Sequence, residues 1–459
     1  MPISNGFDAL RRRLAGSVVE PGAPEWDVAR RAWNLTDQRP AAVVLAAGAD
    51  DVAAVMSFAR AQGLRVAPQA TGHGAGALPP LDDTVLLSTA AMRGVAIRPD
   101  TRVARVEAGA LAGDVADATG AHGLAPVAGL ASTVGLAGLA LGGGVGWLSR
   151  LYGLAGNNVR AIELVTAAGE RERVDAEREP ELFWALRGGC GNFAVVTALE
   201  VELHPVPEVF AGMLVWPVER AHEVLERYRR CCLAAPEELT TVFRYLSLPD
   251  VPAVPAPLRG RRTVAAIAVY VGDERDGIRV LDTLRSPGDA ELDTFQTLPA
   301  AQLVRVAGDP EDPAPARGDG FMIGDLTDEL LAALAGRMLD GPLAPLEVIE
   351  LRHLGGALAR APEGHGALAT LGGAFSVFAT GMRGDLDEGR ELERRLGELR
   401  ELLTPWTTAQ ELLNFCEAPR DAAGAFDDET WRRLQRVGER LDPARLVVAK
   451  HPVPPASGP

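Results

Sequence analysis

Two glycine-rich segments constrain the fold of this chain more than any other feature of its sequence. Residues 68–76 read Pro-Gln-Ala-Thr-Gly-His-Gly-Ala-Gly and follow a strand-like apolar run, and a second glycine cluster occupies residues 129–146. Glycine backbone offers unobstructed N–H groups to anionic oxygens, so two such loops indicate one large phosphate-bearing ligand. His73 has a glycine on each side. Its ring is therefore open to that ligand, and a neutral imidazole is a competent nucleophile.

The periodicity of apolar residues predicts an α+β fold. A strand at 42–45 is followed by a helix that ends at Gly63. The pattern of helix-like, strand-like and proline-rich segments changes near Glu208. A second domain is therefore expected to begin there, as a length of 459 residues allows. Further strands are expected at 84–88, 103–107, 161–166, 195–203, 240–246, 263–271, 346–353 and 375–380, and helices at 111–122, 218–232, 386–403 and 428–441.

Composition and charge exclude several classes of protein. The formal net charge of −16 disfavours a general nucleic-acid partner. Lys450 is the only lysine, which removes the P-loop motif and disfavours a pyridoxal phosphate site, and the seven histidines show no metal-ligand spacing. Residues 1–19 lack the apolar run of a secretory signal, and the most apolar span, 123–149, is interpreted as loop because of its glycines. We therefore expect a cytoplasmic protein without metal, nucleic-acid or membrane partners.

The first loop also fits the dinucleotide-binding fingerprint, because Gly72, Gly74 and Ala77 have the required spacing. In that fold a helix starts at the loop and receives the pyrophosphate at its N-terminus. Here Pro79 and Pro80 follow, and they cannot open such a helix. The sequence therefore disfavours a Rossmann site. It also disfavours a serine hydrolase, since no Gly-x-Ser-x-Gly motif occurs.

Three motifs in a characteristic order give the chain a family resemblance. Residues 68–76 are followed by Val-Gly-Leu-Ala-Gly-Leu-Ala-Leu-Gly-Gly-Gly-Val-Gly-Trp-Leu-Ser-Arg-Leu-Tyr-Gly-Leu at 134–154 and by Asp-Ala-Glu-Arg-Glu-Pro-Glu-Leu-Phe-Trp-Ala-Leu-Arg-Gly-Gly-Cys-Gly-Asn-Phe at 175–193. This part of the chain, from Gln38 to Pro205, resembles the FAD-linked oxidases of the vanillyl-alcohol oxidase fold. More specifically, it resembles bacterial members of the berberine-bridge-enzyme-like group.

The resemblance implies that the chain is divided into three parts. A PCMH-type FAD-binding domain with two subdomains is expected at 1–207, and a substrate domain with an antiparallel sheet covered by helices at 208–410. A C-terminal segment at 411–459 is expected to return to the FAD domain. The implied FAD is held covalently through His73. The other implied cofactor-binding residues are Gln69, Ala70, Thr71, Gly72, Gly74, Ala75, Gly76, Gly129, Ser132, Thr133, Gly135, Gly138, Gly142, Gly143, Gly144, Gly146, Val196 and Asn414.

Several positions depart from the pattern of the family or refine what it implies. Many relatives form a second flavin bond through a cysteine, but the corresponding residue here is Ala131, so a single attachment is expected. Val134 occupies a position where a small side chain leaves room for oxygen, which favours an oxidase; its other interpretation is plain apolar packing. Leu412 stands where relatives often carry a tyrosine base. Candidate catalytic residues are therefore sought elsewhere, at Tyr152, His353 and Glu350.

The predicted activity is the oxidation of a small-molecule secondary metabolite, with oxygen as the electron acceptor and peroxide as the product. A base-independent hydride donor, such as an amine, suits the missing tyrosine. Two alternatives stay open: an FAD-dependent dehydrogenase or cyclase that does not use oxygen, and a flavin-loaded metabolite-binding (resistance) protein. Glu350 and Arg352, two residues apart on one predicted strand, could line the pocket or form a purely structural pair. A monomer or homodimer is expected.

Overall fold

The computed structural model describes residues 6–252, 254, 256, 258–286, 288–341 and 343–456. The predicted first domain and C-terminal segment include end residues, 1–5 and 457–459, that lie outside this described part of the chain.

A four-stranded sheet forms the N-terminal layer, in the order β1-β2-β4-β3. Strands β2, β4 and β3 run parallel, and β1 pairs antiparallel with β2. Helix α3 buries Val52, Val55 and Met56 against this sheet and ends at Gly63, whose left-handed backbone (φ 68°) suits glycine. The bounds are β1 Ser17–Val19, β2 Ala42–Leu45, β3 Arg65–Gln69, β4 Thr84–Ser88, α1 Asp8–Arg11, α2 Trp26–Ala29 and α3 Ala49–Gln62.

A six-stranded antiparallel sheet follows, in the order β5-β6-β10-β8-β9, with β7 paired to the end of β10. Its side chains form the largest apolar core together with Val242 and Ile267 from the third sheet, so the two halves of the protein share one interior. The bounds are β5 Val95–Arg98, β6 Val103–Glu107, β7 Leu124–Pro126, β8 Val159–Thr166, β9 Arg171–Asp175, β10 Ala194–Pro205, α4 Ala112–Gly120, α5 Leu136–Leu141, α6 Ser149–Tyr152 and α7 Pro180–Leu186.

An eight-stranded antiparallel sheet makes up the second half, in the order β14-β11-β13-β12-β17-β18-β16, with β15 beside β11. Helices α8, α11 and α12 cover one face of it. Residues on the opposite face, such as Phe378 of β18, meet the C-terminal segment. The bounds are β11 Glu208–Pro217, β12 Leu239–Ser247, β13 Arg262–Tyr270, β14 Leu292–Asp293, β15 Gln296–Pro299, β16 Ala316–Ile323, β17 Leu346–His353, β18 Phe375–Met382, α8 Ala221–Ala234, α9 Glu274–Val280, α10 Asp282–Arg285, α11 Asp328–Leu339 and α12 Leu386–Leu403.

The chain returns to the first sheet after α13 (Asp428–Leu441). Val447 forms a parallel bridge with Val66 of β3; the Val66 N–H donates to the Leu446 carbonyl at 2.7 Å, and the Val448 N–H donates to the Val66 carbonyl at 2.8 Å. Since β3 leads directly into the first glycine loop, this pairing brings Lys450 beside that loop.

One sequence expectation about local structure is wrong. The span 123–149 is not a continuous loop, because it contains β7 and α5. Leu136, Ala137 and Ala140 of α5 are buried. Their burial stabilises a short helix that the intrinsic preference of glycine would oppose, as tertiary packing commonly does.

A buried arginine joins the two halves of the protein. Arg150 of α6 is 4% exposed, and its guanidinium donates to carbonyl groups of the second half: Nε to Leu239 at 2.7 Å, Nη2 to Pro236 at 3.2 Å and Nη1 to Leu354. Nη1 also lies 3.2 Å from His353 Nε2. The residue ties α6 to the ends of β12 and β17.

Replacing this arginine should destabilise the fold. Arg150→Met leaves several buried carbonyls without a donor, so the free energy of unfolding should fall by about 3 kcal/mol. Urea unfolding followed by tryptophan fluorescence measures the difference. Arg160→Met is the control, because Arg160 is 61% exposed and pairs with Glu202 at the surface; it should change stability by less than about 0.5 kcal/mol. Equal effects of the two variants would contradict the role of Arg150.

Candidate cofactor and active site

The first glycine loop presents His73 in a fixed orientation. Gly72 has a positive φ of 82°, and a Cβ there would lie 2.7 Å from the Cα of Ala32, so only glycine fits. The His73 ring stacks on Trp33 with centroids 4.3 Å apart and planes inclined by 15°. Its Nδ1 is 2.8 Å from the hydroxyl of Thr71. These contacts leave Nε2 as the ring nitrogen without a hydrogen-bond partner among the described residues.

The imidazole of His73 is neutral at neutral pH. Burial lowers the pKa of His73 to about 4, because desolvation disfavours the charged form. When Nδ1–H donates to Thr71, the lone pair of the neutral ring resides on Nε2. The loop thus holds a neutral nitrogen nucleophile with a fixed direction.

The second glycine loop lies beside the first. A Cβ on Gly135 would lie 3.3 Å from the Cβ of Ala70, so the two loops lie next to each other. Gly146 is packed more tightly still, since a Cβ there would lie 1.4 Å from the carbonyl oxygen of Ala128. Gly138 lies on an exposed part of α5. The two loops are therefore neighbours in the fold, although they are far apart in the chain.

Asn414 fastens the C-terminal segment to the second loop. Its Oδ1 accepts from the Gly144 N–H at 3.0 Å, and its Nδ2 donates to the Leu139 carbonyl at 3.2 Å. A Cβ on Gly142 would lie 2.6 Å from the same Nδ2. The predicted site residues Asn414, Gly142 and Gly144 are therefore brought together from positions far apart in the chain.

Lys450 is a site residue that the sequence analysis missed. Its Nζ donates to the Leu413 carbonyl at 2.8 Å, and its Cδ lies 2.9 Å from where a Cβ on Gly74 would be. Burial lowers the pKa of Lys450, and its ammonium forms no ion pair within the described ranges. Two of its three N–H donors are thus unused. One sequence feature could have drawn attention to this residue: Lys450 is the only lysine of the chain.

The remaining polar atoms around the loops fit a large polar cofactor. Gln69 Oε1, Thr133 Oγ1 and Trp33 Nε1 are buried and have no hydrogen-bond partner among the residues that the structure describes. Buried polar atoms are normally paired, so these groups are available to a ligand. FAD offers anionic phosphate oxygens, hydroxyls and ring carbonyl and N–H groups, which match these donors and acceptors and the ammonium of Lys450.

The other predicted cofactor residues lie in less open surroundings. Val196 is 6% exposed in the main core, beside an irregularity in the pairing of β10 with β8. Ser132 donates to Glu311 at 3.3 Å. A Cβ on Gly76 would lie 2.8 Å from the Glu417 carbonyl, which brings the first loop against the C-terminal segment.

The three candidate catalytic side chains do not converge on one point. Tyr152 stacks on His204 with centroids 3.6 Å apart, and burial raises the pKa of its phenol. His353 contacts Arg150 and is largely desolvated, which lowers the pKa of His353 to about 3. Glu350 lies on the opposite face of β17 from His353 because side chains alternate along a strand.

Glu350 is held between two arginines. Arg244 Nε donates to one of its carboxylate oxygens at 2.8 Å, and Arg352 Nε donates to the other at 3.0 Å. These cations hold the pKa of Glu350 below its usual range despite burial. Leu412, where relatives often have a tyrosine, is 1% exposed within an apolar cluster.

Comparisons with known proteins agree with this geometry. Residues 40–175 match the family model described as an FAD binding domain. (R)-6-hydroxynicotine oxidase of Paenarthrobacter nicotinovorans is 35% identical over 205 residues, 44% of this chain and 45% of the relative. An FAD-linked oxidoreductase of Dictyostelium discoideum is 31% identical over 298 residues, 63% of this chain and 62% of the relative. The chain thus spans less than two thirds of the length of either relative.

Solved structures show the same fold over nearly the whole chain. 6-Hydroxy-D-nicotine oxidase from Arthrobacter nicotinovorans has a TM-score of 0.82 at 24% identity, covering 94% of this chain and 96% of its own. Phl p 4, described as a glucose dehydrogenase, has a TM-score of 0.80 at 18% identity over 96% and 97% of the chains. Its isoleucine-to-valine variant is described as a glucose oxidase. The predicted α+β fold with a PCMH-type FAD-binding domain is confirmed.

Two further features bear on partners. No helix in the described part of the chain is long and apolar enough to cross a membrane. Within the same part, no three His, Cys, Asp or Glu side chains are grouped so that they could hold a metal ion.

Removing the ammonium of Lys450 should weaken FAD binding. Lys450→Met, made in a His73→Ala background so that binding is reversible, should raise the Kd for FAD about tenfold, because charge-assisted hydrogen bonds are lost. Quenching of FAD fluorescence measures the Kd. Arg432→Met removes an exposed cation from α13 and is the control. A Kd within twofold of the parent would exclude Lys450 from the cofactor site.

Proposed function

We propose that this protein is an FAD-dependent oxidoreductase of the berberine-bridge-enzyme-like group that oxidises a small-molecule metabolite. The proposal rests on one observation above all. Within and beside the residues that match an FAD binding domain, two adjacent glycine loops lie near a neutral His73, a Lys450 ammonium without an ion pair and several polar atoms without a partner among the described residues. Bound FAD would supply the two-electron acceptor. The protein would bind the substrate, orient its hydride toward the cofactor and exclude water.

We further propose that His73 attaches FAD covalently through Nε2. Thr71 engages Nδ1, and the stacked Trp33 fixes the plane of the ring. The pKa of His73, about 4, keeps the ring neutral at neutral pH, and Nε2 is unprotonated in the tautomer whose Nδ1–H donates to Thr71. The second bond found in many relatives needs a thiol at position 131, and this chain has an alanine there. A single attachment follows.

Acid precipitation tests the attachment. The wild-type pellet should stay yellow, and the pellet of His73→Ala should be colourless while FAD appears in the supernatant. His222→Ala, which changes an exposed histidine of α8, is the control and should keep its colour. The flavin-bearing peptide from a digest should contain residue 73 and no cysteine adduct. A colourless wild-type pellet would overturn the covalent bond but not the FAD-binding fold.

Oxygen is the proposed electron acceptor, and Val134 supports this choice. It stands beside Gly135 in the loop, and the family resemblance implies that a small side chain at this position leaves room for oxygen. A dehydrogenase is the second candidate, because a structural neighbour is described as a glucose dehydrogenase. Leu412 offers no proton acceptor, which favours a substrate that gives up hydride without a strong base, such as an amine. The catalytic roles of Tyr152, His353 and Glu350 stay predictions.

Reoxidation of the reduced protein separates the two candidates. Protein reduced anaerobically with dithionite and mixed with air-saturated buffer should recover its flavin absorbance within seconds if it is an oxidase. Val134→Ile should slow this recovery at least tenfold, whereas Val134→Ala, the matched control, should not slow it. Recovery over minutes in the wild type would identify a dehydrogenase.

A further inference from the structure

Arg352 has an unused hydrogen-bonding edge in the interior of the protein. The residue is 5% exposed on β17, and its Nε and Nη2 both donate to Oε1 of Glu350. Its Nη1 has no hydrogen-bond partner among the described residues. This atom is not fully buried and keeps some solvent-accessible surface. Buried arginines usually have their N–H groups satisfied. A free Nη1 on so buried a residue points to a ligand.

A network of charges fixes the direction of this free edge. Oε2 of Glu350 accepts from Arg244 at 2.8 Å, and Arg244 in turn donates to Asp309 at 2.8 Å and to the Ala307 carbonyl at 3.1 Å. Glu350 therefore shares its single negative charge between two arginines, while Asp309 pairs with Arg244. The four charges of the network cancel, and Arg352 is the cation at the end that lies away from Asp309.

One aromatic ring lies against the Arg352 guanidinium, and a second ring packs on the first. The Arg352 guanidinium carbon lies 4.6 Å from the centroid of the Phe415 ring, and Phe415 is 5.4 Å from Phe378 of β18. Phe415 directly follows Asn414, whose amide is bonded to the second glycine loop at Gly144. The free edge is thus next to the boundary between the substrate sheet and the cofactor loops.

We propose that Arg352 anchors a carboxylate of the substrate, whose aromatic or apolar body rests against Phe378 and Phe415. This inference rests on the proposed function, since it names the substrate class for the same site. Nη1 carries two N–H groups, which can bond one or both oxygens of a carboxylate. Glu350 positions the guanidinium, because it occupies the other two nitrogens. A substrate whose only charge is a cationic amine is disfavoured at this point.

Matched pairs of small ligands test the inference. Benzoate, phenylacetate and indole-3-acetate are each compared with the corresponding carboxamide by isothermal titration calorimetry on the protein as purified. At least one acid should bind the wild type tenfold or more tightly than its amide, as a charge-assisted hydrogen bond implies. Arg352→Met should abolish this preference, and Arg352→Lys should retain part of it. Arg279→Met, at an exposed site on α9, is the control and should leave it unchanged.

The outcomes are distinct from those of the proposed function. Calorimetry needs no turnover, so a carboxylate preference that depends on Arg352 supports the inference even in protein that never reduces its flavin. The wild-type comparison of acid with amide needs no variant, so it also stands if Arg352→Met fails to fold. If no acid is preferred over its amide, or if the preference survives in a folded Arg352→Met, the inference is wrong. Absence of FAD from the purified protein would instead overturn the proposed function.

Discussion

The close approach of bare backbone at the glycine loops is the constraint on which the rest of this structure depends. Gly72 can lie against Ala32, and Gly142 against Asn414, only because neither has a Cβ. That approach lets the C-terminal segment close over the loops, with Asn414 bonded to Gly144 and Lys450 beside Gly74. The two glycine loops, His73 and the eight-stranded sheet are consequently held in fixed positions relative to one another.

Buried arginines connect the first half of the protein to the second half. Arg150 satisfies backbone carbonyls at the ends of two strands, and the Arg244–Glu350–Arg352 network spans the face of the same sheet. Breaking a buried charged network is expensive, although its net contribution to stability can be small. Its main consequence here is orientation. Glu350 and Phe415 together fix the plane of the Arg352 guanidinium and leave one edge of it free.

How well the sequence predicted the structure depended on the length and regularity of each pattern. The helices at 386–403 and 428–441 and the strand at 346–353 have the predicted bounds, since their apolar residues recur with a clear period. Strand β16 (Ala316–Ile323) was missed, because its glycines and charges obscure the alternation. Helix α5 was taken for loop, because only its packing against the core shows that it is helical. The FAD-binding fold was recognised from local motifs, because each motif lies within a short run of consecutive residues.

By itself the sequence determined the cofactor class and the local chemistry of the loops: glycines that expose backbone N–H groups, a histidine among them and no thiol at position 131. The tertiary structure decided which residues distant in the chain lie close to one another. Lys450 lies beside Gly74, and Arg352 is stacked on Phe415, only because strand pairing and the returning C-terminal segment bring them there. The physical reason is the separation along the chain of the residues that interact. A loop motif is read from consecutive residues, whereas the pairing state of a buried charge depends on neighbours hundreds of positions away.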